Sequence, residues 1–156
     1  MNASTVNHSR IAQNAYFALR TRLQGSGYEV LGPNVGVVTR GNAVRYPDAL
    51  ISGGGTRGLE RIVTDVIVVF EVVSQSSFRH DHMTKLRECA EVPSIRRYVI
   101  LDNEGQDLTV YWRAAPDQDW TASAVTAGEV LPIPEAGIEV PVDELYRGIS
   151  LDEAPA

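Results

Sequence analysis

Three charged side chains stand at positions where a charge either is costly or can take part in chemistry. Glu71 lies inside "VIVVFEVVS", the most apolar run of the chain, and Asp48 follows a proline in "RYPDALIS". Lys85 lies downstream in "RHDHMTKLRECAEV". A buried carboxylate is strongly unfavourable unless it is protonated, paired with a cation or placed where the strand leaves the core. Two carboxylates followed by an amine therefore indicate metal-assisted chemistry.

A divalent cation would explain the two carboxylates together. If the strands that carry Asp48 and Glu71 are neighbours, the two groups converge and repel each other unless a proton or a metal ion intervenes. Mg²⁺ suits such a site because it takes one or two carboxylates and keeps water and phosphate oxygens as its other ligands. Lys85 would lay its aliphatic stem along the sheet and extend its ammonium group to the carboxylates. We expect Mg²⁺ at this site, with Mn²⁺ able to replace it.

Each of the three residues also has an ordinary structural interpretation. An aspartate after a proline is typical of a turn or a cap, which is the default for Asp48 taken alone. Lys85 can pair with Asp81 four residues earlier on the surface of a helix. Glu71 can face solvent at the end of its strand. The sequence pattern by itself leaves these alternatives open.

Two other catalytic arrangements are disfavoured by spacing. His80 and His82 in "RHDHM" stand two residues apart, so on a helix their side chains point in different directions and do not form a zinc pair. A hydrolase that uses Ser74 with either histidine would need a nucleophile-elbow sequence around the serine, and none is present.

The elements that must position these residues follow from the apolar spacing. Apolar residues recur at helical spacing from Ile11 to Leu23, with Ser4 or Thr5 as the cap and Gly25 as the stop. Three short strands, "YEVLG", "VGVVTR" and "VRYPDALIS", are predicted to form an antiparallel meander. These strands are followed by the strand with Glu71 and a helix over 78–92. After the helix come a hairpin of "RRYVILD" and "LTVYWRA" and a tail of short edge strands with a last helical turn. This order predicts a mixed β-sheet flanked by helices, an α/β or α+β fold.

Length and composition favour one domain that spans residues 1–156, because 44% of the residues are hydrophobic and 22% are charged. The formal net charge of -6 argues against a broad nucleic-acid-binding surface, so any contact with phosphate must be local. The start of the chain has no apolar signal segment and the longest apolar run is too short to cross a bilayer. We therefore expect a cytoplasmic protein that does not contact membranes. Cys89 is the only cysteine, which excludes an intramolecular disulfide.

The order and spacing of these motifs resemble the Uma-two-type restriction endonucleases, a branch of the PD-(D/E)XK nuclease superfamily. The resemblance lies in "YPDALIS", "VIVVFEVVSQSS" and "RHDHMTKLRECAEVPSIRRYVILD", and it extends from His8 to "GIEVPVDELYRG". Asp48, Glu71 and Lys85 fall on the catalytic positions, and Val73 stands where the superfamily's usual strand lysine would be. The resemblance implies a restriction-endonuclease-like sheet and metal-dependent hydrolysis of DNA phosphodiester bonds.

The same resemblance implies the remaining site assignments. Asp48, Glu71 and the backbone carbonyl of Val72 would hold the metal ion. Arg79 and His80, near the start of the helix with Lys85, would contact the DNA backbone. An upstream glutamate found in many relatives is missing, and this departure favours the alternative that the chain is an inactive nuclease-fold protein that serves as a binding or assembly module.

A homodimer is expected for cleavage of both strands, because one catalytic centre cuts one strand and two copies related by a twofold axis match the symmetry of duplex DNA. The aromatic residues Tyr111, Trp112 and Trp120 are candidates for its interface. Their alternative role is to fill the core of a monomer. Because Tyr111 and Trp112 are neighbours in a strand, we expect one of them to face the core and the other to lie outside it.

Overall fold

The computed structural model describes residues 4–74 and 81–151. A six-stranded sheet lies at its centre, and its strands are β1 (Glu29–Leu31), β4 (Ala49–Ser52), β5 (Val66–Val73), β6 (Arg97–Asp102), β7 (Leu108–Trp112) and β8 (Thr121–Val125). They are ordered β1-β4-β5-β6-β7-β8 across the sheet. Two separate hairpins flank the sheet, formed by β2 (Val37–Val38) with β3 (Val44–Arg45) and by β9 (Val130–Ile133) with β10 (Ile138–Pro141).

Three helices are described: α1 (Val6–Leu23), α2 (Asp81–Ala90) and α3 (Val142–Leu145). Strand β5 pairs antiparallel with β4 but parallel with β6, and β6, β7 and β8 continue as antiparallel neighbours. A parallel pair needs a crossover connection, and the segment that contains α2 supplies it. The predicted mixed sheet flanked by helices is therefore confirmed. No helix within the two described ranges is long and apolar enough to cross a bilayer.

The two faces of the sheet carry separate apolar cores. On one face, the side chains of Val68, Phe70 and Val72 join a cluster with α1, α3 and the β9–β10 hairpin. On the other face, Val69 belongs to a smaller cluster that includes Leu86 of α2. Because side chains alternate along a strand, the continuous apolar run of β5 serves both cores.

Helix α1 begins and ends as its sequence predicts. The side-chain oxygen of Thr5 accepts a hydrogen bond from the backbone N–H of His8 at 3.0 Å, which identifies Thr5 as the cap. After the helix ends at Leu23, Gly25 adopts a left-handed conformation with φ 76°. Apolar residues such as Ile11 and Leu19 are fully buried against the sheet.

The predicted antiparallel meander is wrong. Strand β1 pairs directly with β4, and β2 and β3 leave the sheet as a hairpin of their own. The expected strand "VRYPDALIS" divides into β3 and β4 around Pro47, because proline has no N–H to give to a ladder. Strand β8 was not predicted, and its sequence "TASAV" has four exposed residues and little apolar patterning.

The predicted helix over 78–92 is described from Asp81–Ala90. Of its apolar residues, Leu86 and Cys89 are buried against the sheet, whereas Met83 is 45% exposed.

The aromatic residues of β7, Tyr111 and Trp112, lie on opposite faces of the sheet. Both are partly buried, and each packs against a different core. The expectation that one of them lies outside the core is therefore wrong, because both faces of the sheet are covered. Trp120 packs against the guanidinium group of Arg113, with the Arg113 Cζ atom 4.5 Å from the ring centroid. Tyr111, Trp112 and Trp120 thus all contribute to packing within the chain.

Arg113 fixes the connection between α2 and β6. Its buried guanidinium group donates hydrogen bonds to the carbonyl oxygens of Ala90 at 2.7 Å, Val92 at 2.8 Å, Ile95 at 3.0 Å and Pro116 at 3.1 Å. The carbonyls of Ala90, Val92 and Ile95 lie between the last residue of α2 and the start of β6, and that of Pro116 follows β7. One side chain therefore satisfies buried carbonyl groups of two connections.

We predict that Arg113→Met lowers the free energy of unfolding by about 3 kcal/mol or more, because it leaves several buried carbonyl groups without a donor. Arg96→Met is the matched control, since Arg96 donates to one carbonyl, that of Pro93, from a partly exposed position. Urea denaturation of both variants measures the difference. An equal, small effect of the two substitutions would contradict the role of Arg113.

Candidate active site

The candidate site lies where β4 begins and β5 ends. The first residue pair between these strands is Ala49 with Phe70, so the last residues of β5 extend past the start of β4. Asp48, which directly precedes β4, reaches into this gap, and its Oδ2 atom accepts a hydrogen bond from the backbone N–H of Val72 at 2.8 Å. The Asp48 carboxylate thus takes the place of a missing backbone partner on the edge of β5.

This contact also places the backbone carbonyl of Val72. Within a strand, the N–H and C=O groups of one residue point to the same edge. Because the N–H of Val72 points to Asp48, its carbonyl oxygen lies on the same edge of β5, beside the Asp48 carboxylate. Val72 and Asp48 therefore offer oxygen atoms at one place in the sheet.

His8 contacts the second oxygen of the same carboxylate. Its Nε2 atom lies 3.0 Å from Asp48 Oδ1, and the two side chains are 24% and 17% exposed. The hydrogen bond with Asp48 raises the pKa of His8, and the charges of Asp48 and Glu71 raise it further, while burial acts in the opposite direction. The helix cap at Thr5 fixes the first turn of α1 and so holds His8 over the end of the sheet.

Glu71 points to the opposite face of the sheet from Val72, towards α2. Its Oε1 atom lies 3.9 Å from Lys85 Nζ, and the two side chains are 11% and 25% exposed. This distance is consistent with the expectation that the ammonium group of Lys85 extends to the Glu71 carboxylate. Glu71 thus has a basic neighbour, as the burial of a carboxylate in an apolar strand requires.

Lys85 is positioned by the contacts of its helix. Three residues further along α2, Glu88 accepts two hydrogen bonds from the guanidinium group of Arg45 in β3, at 2.6 Å and 2.7 Å. These bonds hold the pKa of the Glu88 carboxyl below its usual range. The fork-shaped contact joins α2 to the β2–β3 hairpin, so the helix cannot slide along the sheet without breaking it.

Cys89 lines the same small cavity as Glu71 and Lys85. Burial is the main cause that raises the pKa of its thiol to about 12. The thiol is therefore neutral at ordinary pH and unsuited to act as a nucleophile.

The structure brings together most of the residues that the sequence singles out. Asp48 is bonded to the backbone of the residue after Glu71, and Glu71 faces Lys85. Arg79 and His80 lie outside the described residues. His82 is buried on α2, with its Nε2 atom 3.3 Å from the hydroxyl oxygen of Tyr111.

Sequence reasoning did not include His8 among the site residues. Its position three residues after a helix cap and its titratable side chain were visible in the sequence, but no spacing rule connects it to Asp48 forty residues later. Only the packing of α1 on the sheet brings the two together.

The donor atoms of this cluster suit a hard divalent cation, because Asp48 and Glu71 supply carboxylate oxygens and Val72 supplies a carbonyl. Within residues 4–74 and 81–151, no three side chains of His, Cys, Asp or Glu gather closely enough to hold a metal ion. An ion at this site would therefore depend on one or two side chains together with the backbone carbonyl and water, a ligand set that Mg²⁺ accepts.

The arrangement defines a nuclease-like fold with an acidic strand end, and comparisons with known proteins agree. A crystal structure of a "putative nuclease belonging to DUF820" from Anabaena variabilis superposes with a TM-score of 0.71, at 13% identity, over 93% of this chain and 83% of that one. Residues 1–143 match the Uma2 family, described as "putative restriction endonuclease", and the chain belongs to this family. It is also 23% identical to the uncharacterised protein slr1290 of Synechocystis over 152 residues, which are 96% of this chain and 80% of that protein.

The His8–Asp48 contact predicts a pH-dependent stability in metal-free protein. Folding raises the pKa of His8 above its value of 6.5 in the unfolded chain. The protonated His8 therefore stabilises the fold fully below pH 6.5, and this stabilisation is lost as the pH rises through the pKa of the folded state. The difference in free energy of unfolding between wild type and His8→Gln should be largest below pH 6.5 and should shrink as the pH rises through the raised pKa of His8. Urea denaturation in the presence of a chelator measures it. A difference that stays constant with pH would contradict the contact.

Proposed function

We propose that this protein is a metal-dependent endonuclease that hydrolyses DNA phosphodiester bonds, with Mg²⁺ or Mn²⁺ as its cofactor. The observation that supports the proposal is the hydrogen bond from the backbone N–H of Val72 to Asp48, because it links one of the two carboxylates at the family's catalytic positions to the residue that follows the other, Glu71. Lys85, the third family position, approaches Glu71 from α2. Membership of a family described as restriction endonucleases supports the choice of DNA as the substrate.

Each residue has a distinct role in this proposal. Asp48, Glu71 and the carbonyl of Val72 would hold the cation, which when bound polarises the phosphoryl group and lowers the pKa of a water molecule. The ammonium group of Lys85 orients the attacking water and stabilises the negative charge that develops on the phosphoryl oxygens. The rigid strand β5 and the anchored helix α2 keep these groups in place before the substrate arrives.

The contact with DNA is proposed to be local. With a net charge of -6, the chain as a whole repels a polyanion, so affinity must come from the cation and from basic residues near the site. Arg79 and His80 are the proposed phosphate contacts. Two copies of the chain are proposed to act on a duplex, each on one strand, in keeping with a cytoplasmic enzyme that makes double-strand cuts.

The proposal predicts that Asp48→Asn and Glu71→Gln each reduce Mn²⁺-dependent cleavage of supercoiled plasmid to background. Both substitutions keep the size of the side chain and remove the charge that a divalent cation requires. The assay separates nicked from linear product, and linear product is expected at early times if two copies act together. Asp143→Asn, at an exposed position on α3 that is not among the proposed site residues, is the control and should cleave normally. Cleavage by either site variant at the wild-type rate would overturn the assignment.

Lys85→Met is expected to lower the cleavage rate by about 100-fold or more while Mn²⁺ affinity is retained, because the ammonium group acts on the transition state. Methionine keeps the unbranched stem and so preserves the packing along the sheet. Arg87→Met, an exposed position on the same helix, is the matched control. Calorimetric titration with Mn²⁺ and single-turnover cleavage give the two quantities. Loss of Mn²⁺ binding with an unchanged rate would mean that the role is wrong.

A second candidate function, an inactive binding or assembly module, is favoured by one observation. No three metal-binding side chains gather within the described part of the chain, and both site carboxylates already have a basic neighbour. In that case the two basic groups would replace the cation permanently. The plasmid assay distinguishes the two functions, since a module of this kind yields no metal-dependent product.

A further inference from the structure

We propose that Asn103 is a positioning residue of the candidate site and that it acts on Asp48 through Thr5 and His8. The inference rests on the proposed nuclease function and deepens it, because Asp48 is one of the carboxylates to which that function assigns the chemistry. Asn103 directly follows β6, and it is a buried polar residue that is only 6% exposed.

The backbone of Asn103 is bonded to the end of β5. Its N–H donates a hydrogen bond to the carbonyl oxygen of Val73 at 2.9 Å. This bond continues the parallel pairing of β5 with β6 to the last residue of β5. Asn103 therefore has a fixed place beside the strand end that carries Glu71 and Val72.

The side chain of Asn103 reaches the first turn of α1. Its Nδ2 atom donates a hydrogen bond to the hydroxyl oxygen of Thr5 at 3.4 Å, and the same oxygen accepts the backbone N–H of His8 at 3.0 Å. A hydroxyl oxygen can accept two hydrogen bonds. Thr5 is thus both the cap of α1 and the link between Asn103 and His8.

The contacts of His8 and Asp48 close these bonds into a ring. The imidazole of His8 lies 3.0 Å from one Asp48 oxygen, and the other oxygen accepts the N–H of Val72, the neighbour of Val73. The ring joins the first turn of α1 to the start of β4 and to the ends of β5 and β6. In such a network each hydrogen bond restrains the next one. Without the Asn103 amide, the first turn of α1 loses its bond to the end of β6, and His8 is held less firmly against Asp48.

The Asn103 amide is only partly satisfied, which separates its effect on the site from its effect on stability. Among the described residues, the buried Oδ1 atom of Asn103 has no hydrogen-bond partner. A buried polar atom without a partner costs free energy. Asn103→Leu removes this atom together with the bond to Thr5, so its two effects on the free energy of unfolding oppose each other. The substitution should therefore loosen His8 without a large loss of stability.

The test is the rate at which the ring proton on His8 Nε2 exchanges with water in metal-free protein. Nuclear magnetic resonance of protein with nitrogen-15 in its histidines measures this rate, and loss of the signal in His8→Gln assigns it. In Asn103→Leu the proton should exchange about fivefold faster, the factor that corresponds to the loss of one hydrogen bond. If Asn103→Leu does not fold, Asn103→Ser, whose side chain is too short to reach Thr5, takes its place.

Three further variants show whether the effect passes along the ring. Thr5→Val removes the hydroxyl group and should accelerate the exchange as Asn103→Leu does, whereas Thr5→Ser keeps the hydroxyl group and should behave as wild type. Asn14→Leu is the matched control, because Asn14 ties α1 to the carbonyls of Leu145 and Arg147, both at 2.9 Å, outside the ring. Its loss should lower stability and leave the exchange of the His8 proton unchanged.

Single-turnover cleavage measures the consequence for the reaction. Asn103→Leu should lower the cleavage rate by about fivefold at unchanged affinity for DNA, because it disturbs the placement of a catalytic group and not the binding of the substrate. An unchanged rate together with faster exchange would mean that the ring is structural only, which overturns the positioning role.

The remaining outcomes separate this inference from the proposed function. Exchange at the wild-type rate in Asn103→Leu overturns the inference and leaves the nuclease proposal intact. Equal acceleration in Asn14→Leu also overturns it, because the effect would then be a general loosening of α1. Wild-type protein that cuts no DNA contradicts the nuclease proposal, whereas faster exchange in Asn103→Leu would still support the link from Asn103 to Asp48.

Discussion

The carboxylate of Asp48 is the contact on which the site depends, because its two oxygens join three elements that are distant in the sequence. One oxygen accepts a hydrogen bond from the N–H of Val72 on β5, and the other contacts His8 on the first turn of α1, while Asp48 itself directly precedes β4. A charged acceptor makes these hydrogen bonds stronger than those between neutral groups. The same carboxylate that closes the edge of β5 is therefore the group that can bind a cation, so structure and proposed chemistry share one side chain.

The sheet brings the remaining groups to this point from both faces. Glu71 and Val72 are consecutive residues, so the side chain of Glu71 faces α2 while Val72 packs on the side of α1. The parallel pairing of β5 with β6 places α2 across the sheet, and the bonds from Arg45 to Glu88 and from Arg113 to the end of the helix hold it there. Lys85 thereby reaches Glu71 from a helix rather than from the strand itself, as the family resemblance implies.

Much of this architecture follows from the sequence, and the exceptions have physical causes. The apolar spacing of α1 and the continuous apolar run of β5 specify their elements, because a helix stripe and a strand covered on both faces each have a distinct pattern. The pairing of β1 with β4 was missed because short strands carry little information about their partners, and β8 because its small exposed residues resemble a loop. His8 was missed as a site residue for another reason: tertiary packing alone brings it to Asp48. The family positions identify Asp48, Glu71 and Lys85, but the hydrogen bond between Asp48 and the backbone of β5 follows only from the folded structure.

The central claim, that the end of β5 is a metal site, is tested most directly by a crystal structure of the protein grown with Mn²⁺ and measured for anomalous scattering from manganese. The account predicts one anomalous peak within bonding distance, about 2.2 Å, of an Asp48 carboxylate oxygen, next to the Val72 carbonyl. Crystals that show manganese only elsewhere on the surface, with Asp48 still bonded to His8, would contradict it.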